Sequence, residues 1–291
     1  MANNKKNIEF DLFRPYYTQT DLNGITKEHV YNLSYFLQYI AGKSFAETKK
    51  KIYGDNHMFH KCVYDEREKI WEIQILHLRE QILPGIADES GMKYELIHLD
   101  ENQYPAESTT AIYDEQKCIL YVQRNIYGTS IRALTALIQS ISPEETWVDL
   151  KPIMSSSAIE KITEEKYYRK VTLTVDSEQL IGRENDTRLG RIISAFSQYS
   201  GKIVTINLGF GRKRNVFLNK IDTIELLKEA YAFPGTEKLI ATMSESEDGK
   251  CESIDLLDDR EKILFELPYS RENPITHDRL FSICSKMINS L

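Results

Sequence analysis

Apolar and polar side chains alternate along IEFDLFR, residues 8–14, a period of two that predicts a first strand with one buried face. Beyond a polar loop the period lengthens. Tyr31, Leu33, Tyr35, Phe36, Leu37 and Ile40 recur at spacings that suit a helix ended by Gly42. Two stretches then share one design. Residues 58–63 meet the polar run Asp65-Glu66-Arg67-Glu68-Lys69 and return as IWEIQILHLR, and TTAIY meets Asp114-Glu115-Gln116-Lys117 and returns as CILYVQR. Each predicts a β-hairpin with a charged tip. A third turn of this composition, Asp258-Asp259-Arg260-Glu261-Lys262, precedes ILFEL. The three share turn chemistry and do not constitute a repeat.

After the second hairpin, Gly128-Thr129-Ser130 leads into an apolar stripe at Ile131, Leu134, Leu137, Ile138 and Ile141, with Thr129 or Ser130 as the N-cap and Pro143 as the stop. TWVDLKPI predicts another strand. SSSAIEKITEEK, residues 155–166, is the least hydrophobic passage and reads as a linker. The organisation expected is an antiparallel α+β domain over 1–154, mainly hairpins with one or two helices, followed by that linker and a second domain over 167–291.

In the second domain the order is a strand at 170–175, a helix through Leu189, Ile192, Ile193, Phe196 and Tyr199 closed by Gly201, and a strand at 203–208 with 216–218 as its hairpin partner. A helix through Ile221, Ile224, Leu227 and Tyr231 follows, capped at Asn219 with Asp222 three residues on, and then a strand at 238–243. The sequence β-α-β-β-α-β predicts a ferredoxin-like plait, two right-handed crossovers placing both helices on one face of the sheet. Residues 250–291 would add a hairpin to it and a terminal helix through Leu280, Ile283, Met287 and Ile288.

At 41% hydrophobic and 28% charged residues over 291 positions, the chain has the composition of a globular protein with a full core and not of a disordered or fibrous one. Cys62, Cys118, Cys251 and Cys284 form no CxxC pair and are too scattered for a secreted framework, which predicts reduced thiols and a cytoplasmic setting. No apolar run approaches the ~20 residues of a membrane helix. MANNKKNIEFDLF has no apolar stretch of signal-peptide type. The net charge of −7 argues against a uniformly basic nucleic-acid binder, yet residues 166–233 hold 12 basic against 7 acidic side chains, a local +5 that hints at an anionic partner.

That segment contains INLGFGRKRNVFLN, residues 206–219. Gly209 and Gly211 permit a sharp turn with exposed amides, Arg212, Lys213 and Arg214 supply three cations for a phosphate backbone, and Phe210 is placed to stack on a base. The stretch lacks the GxxxxGK[ST] of a P-loop and the strand-to-helix context of a dinucleotide fingerprint. A second candidate anion site is VQRNIYGTS, residues 122–130, where Arg124 and Asn125 precede a capped helix N-terminus. Structural roles compete at both places: two glycines make a tight turn, and Arg124 can pair with a carboxylate.

Metal chemistry has weaker support. His57, His60 and Cys62 are close in sequence, but His57 and His60 point to opposite faces of a strand and nothing completes a tetrahedral zinc site. Asp149-Leu150-Lys151 matches the D-x-K half of a metal-dependent nuclease motif, for which Asp114 or Glu72 would have to supply a second carboxylate, with magnesium or manganese as the ion. No nucleophile elbow or Cys-His context is present.

Several of these stretches resemble an uncharacterised family of bacterial and prophage proteins, a domain of unknown function met beside mobile elements and phage-defence genes. The resemblance rests on Lys69-Ile70-Trp71-Glu72 with Leu78-Arg79, Tyr113-Asp114-Glu115 leading to Val122-Gln123-Arg124-Asn125 and Gly128-x-Ser130, Tyr168-Arg169-Lys170, and Ile254-Asp255-Leu256-Leu257. It implies a setting, conflict between phage and bacterium, and brings no catalytic residues with it.

The leading expectation is therefore a non-catalytic factor without cofactor, in defence or counter-defence, which binds a DNA or RNA backbone or a phage or host protein through Arg212, Lys213 and Arg214. The first alternative is a metal-dependent nuclease using Asp149 and Lys151. The second is a homo-oligomeric assembly protein, since 17 tyrosines against 2 tryptophans suit interface contacts.

Overall fold

The computed structural model describes residues 4–20, 26–80, 84–87, 93–101, 103–143, 147–155, 162–176, 187–196, 203–211, 216–233, 235–257 and 260–290. The chain divides into two compact units, Met1–Leu150 with Lys262–Leu291, and Lys151–Glu261. In chain order the elements are β1 (Asn4–Thr20), β2 (Thr26–Val30), α1 (Ser34–Ala41), α2 (Phe45–Thr48), β3 (Lys50–Ile52), β4 (Asp55–Asp65), β5 (Ile70–Leu78), β6 (Gly85–Ala87), β7 (Tyr94–Leu96), β8 (Ala106–Asp114), β9 (Ile119–Gln123), α3 (Ile131–Ile141) and β10 (Val148–Pro152). The second unit carries β11 (Tyr167–Asp176), α4 (Arg188–Ser194), β12 (Ile203–Gly209), α5 (Lys220–Ala232), β13 (Thr236–Ser244) and β14 (Glu252–Asp255). The chain then returns to the first unit with β15 (Lys262–Tyr269) and α6 (His277–Ile288).

The first unit is built on a sheet of order β10-β1-β9-β8-β5-β4-β3, with β2 and β15 also paired to the long β1. Its two predicted hairpins form, and their tips share one geometry. Asp65 Oδ1 accepts from the amides of Arg67 and Glu68, and Asp114 Oδ1 from those of Gln116 and Lys117. Four residues after each aspartate the backbone turns left-handed, at Lys69 (φ 57°) and Cys118 (φ 52°). The side-chain bonds hold each tip against the steric cost of positive φ in an L-residue.

Strand alternation then sorts two faces. Trp71, Ile73 and Ile75 of β5, Ala111 and Tyr113 of β8, and Leu120 and Val122 of β9 form one core with Phe36, Leu37 and Ile40 of α1 and Leu134, Leu137, Ile138 and Ile141 of α3. Polar anchors fix the entry to α1: the Leu33 amide donates to Tyr113 Oη at 3.1 Å, and Trp71 Nε1 to Ser34 Oγ at 3.0 Å. The alternate positions Ile70, Glu72, Thr110, Ile112 and Tyr121 point to the other face, where α6 brings the buried Leu280, Cys284 and Ile288.

This last packing corrects the expected domain plan. Residues 262–291 do not extend the second domain. Register pairs run from Asn4↔Tyr269 to Asp11↔Lys262, and α6 carries His277 to Thr110 of β8. A strand needs a partner edge and an amphipathic helix needs a face to cover, and here both are found at the other end of the sequence. Of the expected linker, the described Ile162 is a buried core residue of the second unit and Tyr168 Oη donates to the Thr163 carbonyl at 3.0 Å.

The second unit is an antiparallel sheet of order β12-β11-β13-β14. Val171, Leu173 and Val175 of β11 and Leu239, Ala241 and Met243 of β13 pack in one core with Leu189 and Ile193 of α4 and Ile224, Leu227 and Tyr231 of α5. The expected ferredoxin-like order is not reproduced. Residues 216–218 form no strand, so among the described residues the order is β-α-β-α-β-β, and β14 lies beside β13 at the edge of the sheet. The reason lies in Leu218, whose amide bonds the Tyr168 carbonyl at 2.8 Å, and in Asn219, whose side chain already caps α5 by accepting from the Asp222 amide. Tyr199 and Gly201 fall outside the described residues.

Candidate functional site

β12 lies at an edge of the second sheet and ends at Gly209, the register partner of Lys170. A Cβ on Gly209 would come within 3.1 Å of the Arg169 carbonyl, so the close approach of the two backbones there depends on glycine. The chain continues through Phe210, 42% exposed, to Gly211, whose φ of +63° favours glycine again. Arg212, Lys213 and Arg214 lie outside the described residues.

Where the chain returns, aromatic rings and cations gather. Phe217 meets Tyr167 edge-on at 5.0 Å between centroids, Arg169 lies over the Phe217 ring at 5.1 Å, and Lys220 over Tyr167 at 4.1 Å. The register shift between Tyr168 and Lys170 marks a bulge at Arg169, a device that re-aims a side chain out of the regular pleat. Arg169 Nη2 donates to the Glu247 carbonyl at 2.9 Å, and Lys170 is exposed. Arg169, Lys170 and Lys220 form no ion pair among the described residues. Sequence reasoning missed Tyr167, Arg169, Lys170, Phe217 and Lys220 as members of a site. Tyr168-Arg169-Lys170 stood out only for a resemblance, and Lys220 is fifty positions from Lys170.

The first unit places Arg124 and Asn125 at the rim of a cleft of about 490 Å³ that also reaches Lys6, Thr110, Gln123 and His277. Their polar atoms are already engaged. Arg124 grips Asp11 with Nε at 3.1 Å and Nη2 at 2.9 Å, and its Nη1 stands 3.1 Å from Glu9. Asn125 donates to the Ser108 carbonyl and accepts from the Tyr127 amide. Ser130 caps α3 by accepting from the Ala133 amide. With Asp11 and Glu9 around Arg124 and Lys262 also 3.5 Å from Glu9, the charges at this rim largely cancel and offer an anion little net positive field.

On the α6 face, Glu72, His277 and Asp278 present ligand atoms within 4.8 Å of one another. Lys61 occupies that cluster, its ammonium 2.7 Å from Glu72 and 2.9 Å from Asp278, so a side-chain cation stands where a metal would. His277 Nε2 is 3.0 Å from Glu72, and Nδ1 shares a hydrogen bond with the Thr110 hydroxyl at 2.9 Å. Burial pushes the His277 pKa down, against the pull of Glu72. Thr110 is fully buried, which makes this chain of contacts an anchor for α6.

The carboxylates of the nuclease reading are kept apart. Asp114 caps its own turn, Asp149 is buried in β10, and β1 and β9 lie between their strands. Three strand spacings put them roughly 14 Å apart, too far to share one divalent ion. Among the described residues His57 and His60 belong to no group that could hold a metal ion, and the four cysteines form no disulfide. No described helix is long and apolar enough to cross a membrane.

A family model covers residues 3–290, and its description is a family of unknown function, DUF6731. The chain belongs to this family. The match spans both units of this DUF6731 protein, including the return of β15 and α6 to the first, so the insertion of one unit into the other lies within the family's own span. No curated protein matches the DUF6731 chain.

Proposed function

We propose that this DUF6731 protein is a binding factor without catalytic activity that holds a nucleic acid on its second unit, in defence or counter-defence between phage and bacterium. The observation that carries this reading is the group of Arg169, Lys170 and Lys220, cations without carboxylate partners among the described residues, set beside Tyr167, Phe210 and Phe217. The next three residues after Gly211 are Arg212, Lys213 and Arg214. Cations that neutralise phosphates release counterions, the main source of affinity for a nucleic-acid backbone, and aromatic rings beside them add contact with bases. The first unit is the counter-example: Arg124 and Lys61 are each matched to two carboxylates.

The test is affinity for DNA and RNA oligonucleotides across a salt series, comparing the parent with a variant carrying Arg212→Glu, Lys213→Glu and Arg214→Glu. Binding falls linearly in log salt for the parent and is lost in the variant, whose melting temperature stays within about 1 °C because exposed charges contribute little to folding. A variant that binds as tightly as the parent removes the reading. Cleavage with magnesium or manganese that vanishes in Asp149→Ala would replace it with the nuclease alternative.

A further inference from the structure

Resting on that reading, we infer that the nucleic acid held at this site is single-stranded and that one of its bases stacks on Phe210. A duplex groove is entered by a helix or by a two-stranded ribbon. Among the described residues no strand continues from β12 to make a ribbon with it, residues 216–219 being non-strand, and α4 and α5 pack by their apolar sides on the sheet, α5 giving the site its first residue, Lys220. What the site does present is a ring. Phe210 is 42% exposed at the end of an edge strand and makes no ring or cation contact among the described residues, while Tyr167 and Phe217 are occupied with each other and with Lys220 and Arg169.

A ring of this kind is satisfied by the face of an unpaired base, which a duplex keeps inside its own stack. The sheet surface leading away from it suits a flexible backbone. Positions of β11 and β12 that alternate with the core positions run through Lys170, Thr172 and Thr174, and Thr205 and Asn207, and end at the far pair Asp176 and Ile203. Short of that pair they carry one ammonium group, hydroxyls and an amide, with Thr172 bonded to Asn207 at 2.9 Å and Thr174 to Thr205 at 3.1 Å. Lys238, the partner of Thr174 on β13, adds a second cation about 13 Å along the strand from Lys170. The carboxylates at register positions of this face, Asp176 and Asp255, stand at the end of β11 and on the outer strand β14. Hydroxyls and amides hydrogen-bond sugar and phosphate without reading sequence, and the two lysines neutralise charge along the path.

The experiment measures anisotropy of labelled oligo-dT, oligo-rU and a blunt hairpin duplex with the full chain, its Phe210→Ala and Phe210→Trp variants, and Lys170→Glu with Lys238→Glu. The single strands bind at least tenfold more tightly than the duplex. Phe210→Ala weakens them roughly 5- to 160-fold, the range of one lost base stack, and Phe210→Trp restores them. The lysine variant flattens the salt dependence, and all variants melt with the parent. Preference of dT or rU assigns DNA or RNA. Equal binding of duplex with no effect of Phe210→Ala overturns the inference and leaves nucleic-acid binding standing, whereas failure of all three probes to bind at low salt overturns both.

Discussion

His57 stacks on His77, ring centroids 4.7 Å apart and planes 16° from parallel. His57 Nδ1 bonds Thr129 Oγ1 at 3.0 Å just ahead of α3, and His77 Nδ1 donates to the Tyr127 carbonyl at 2.9 Å with Asp55 3.5 Å from its other nitrogen. The pair thus ties β4 and β5 to the segment that starts α3. Burial, with the neighbouring His77 adding to it, pushes the His57 pKa down to about 4.

A depressed histidine pKa makes folding sensitive to acid. The unfolded chain takes up a proton near pH 6.5 and the folded chain only near 4, so the stabilisation is complete above 6.5 and is lost as pH falls toward 4. At 1.36 kcal/mol per pH unit the loss is about 3 kcal/mol. Urea midpoints at pH 7.5 and 4.5 check this, and the drop between them should shrink in His57→Gln; an equal drop in both proteins would contradict the assignment to His57.

Gly128 is where this segment passes the sheet. A Cβ there would fall 2.2 Å from Thr109 Oγ1, a buried hydroxyl that accepts from the Thr129 amide. Thr109 is β-branched and stiff, so Gly128→Ala should destabilise the protein by about 1–3 kcal/mol. Thermal melting measures it, and an unchanged melting temperature would mean that Thr109 rotates away at no cost.

Leu280 tests the placement of the C-terminal helix. It is 3% exposed, on the α6 face that also carries Cys284 and Ile288. Leu280→Ala should cost about 2–5 kcal/mol. Hydrogen exchange should quicken in β1 and β8 of the first unit and stay unchanged in β11 and β13. Faster exchange confined to β11 and β13 would return this helix to the second domain.

Lys69 and Cys118 are the left-handed residues of the two hairpin tips. Replacing either by glycine removes a steric cost of about 1–2 kcal/mol and adds part of it back as chain entropy, for a net gain of about 0.5–1 kcal/mol. Lys69→Gly should therefore raise the melting temperature by about 2 °C. A lower one would mean that the Lys69 side chain, over the Tyr64 ring, contributes more than its backbone costs.

What was legible in the sequence was local. Asp65 and Asp114 announce their tips because an aspartate oxygen reaches the amides two and three residues on, and the α3 stripe announces its helix because its spacing repeats every turn. The candidate site was half legible: Phe210 and the glycines mark a turn, but nothing in the order of residues brings Arg169 and Lys220 to Phe217. Arg124 looked like an anion site because Glu9 and Asp11, which neutralise it, lie more than a hundred positions earlier.

The sequence by itself determined the main strands and helices of both cores and which of their faces are apolar, though residues 216–218, which read as a strand, form none. Only the tertiary structure decided what those faces meet. Alternation tells a strand that one side must leave water and leaves open which strand lies beside it, so β15 reads as well for the second domain as for the first until its backbone pairs with residues 4–11 of β1. Hydrophobic burial is proportional to area and indifferent to partner, and the choice between partners falls to edge hydrogen bonds and to buried polar contacts such as His277 with Thr110, which no local pattern encodes.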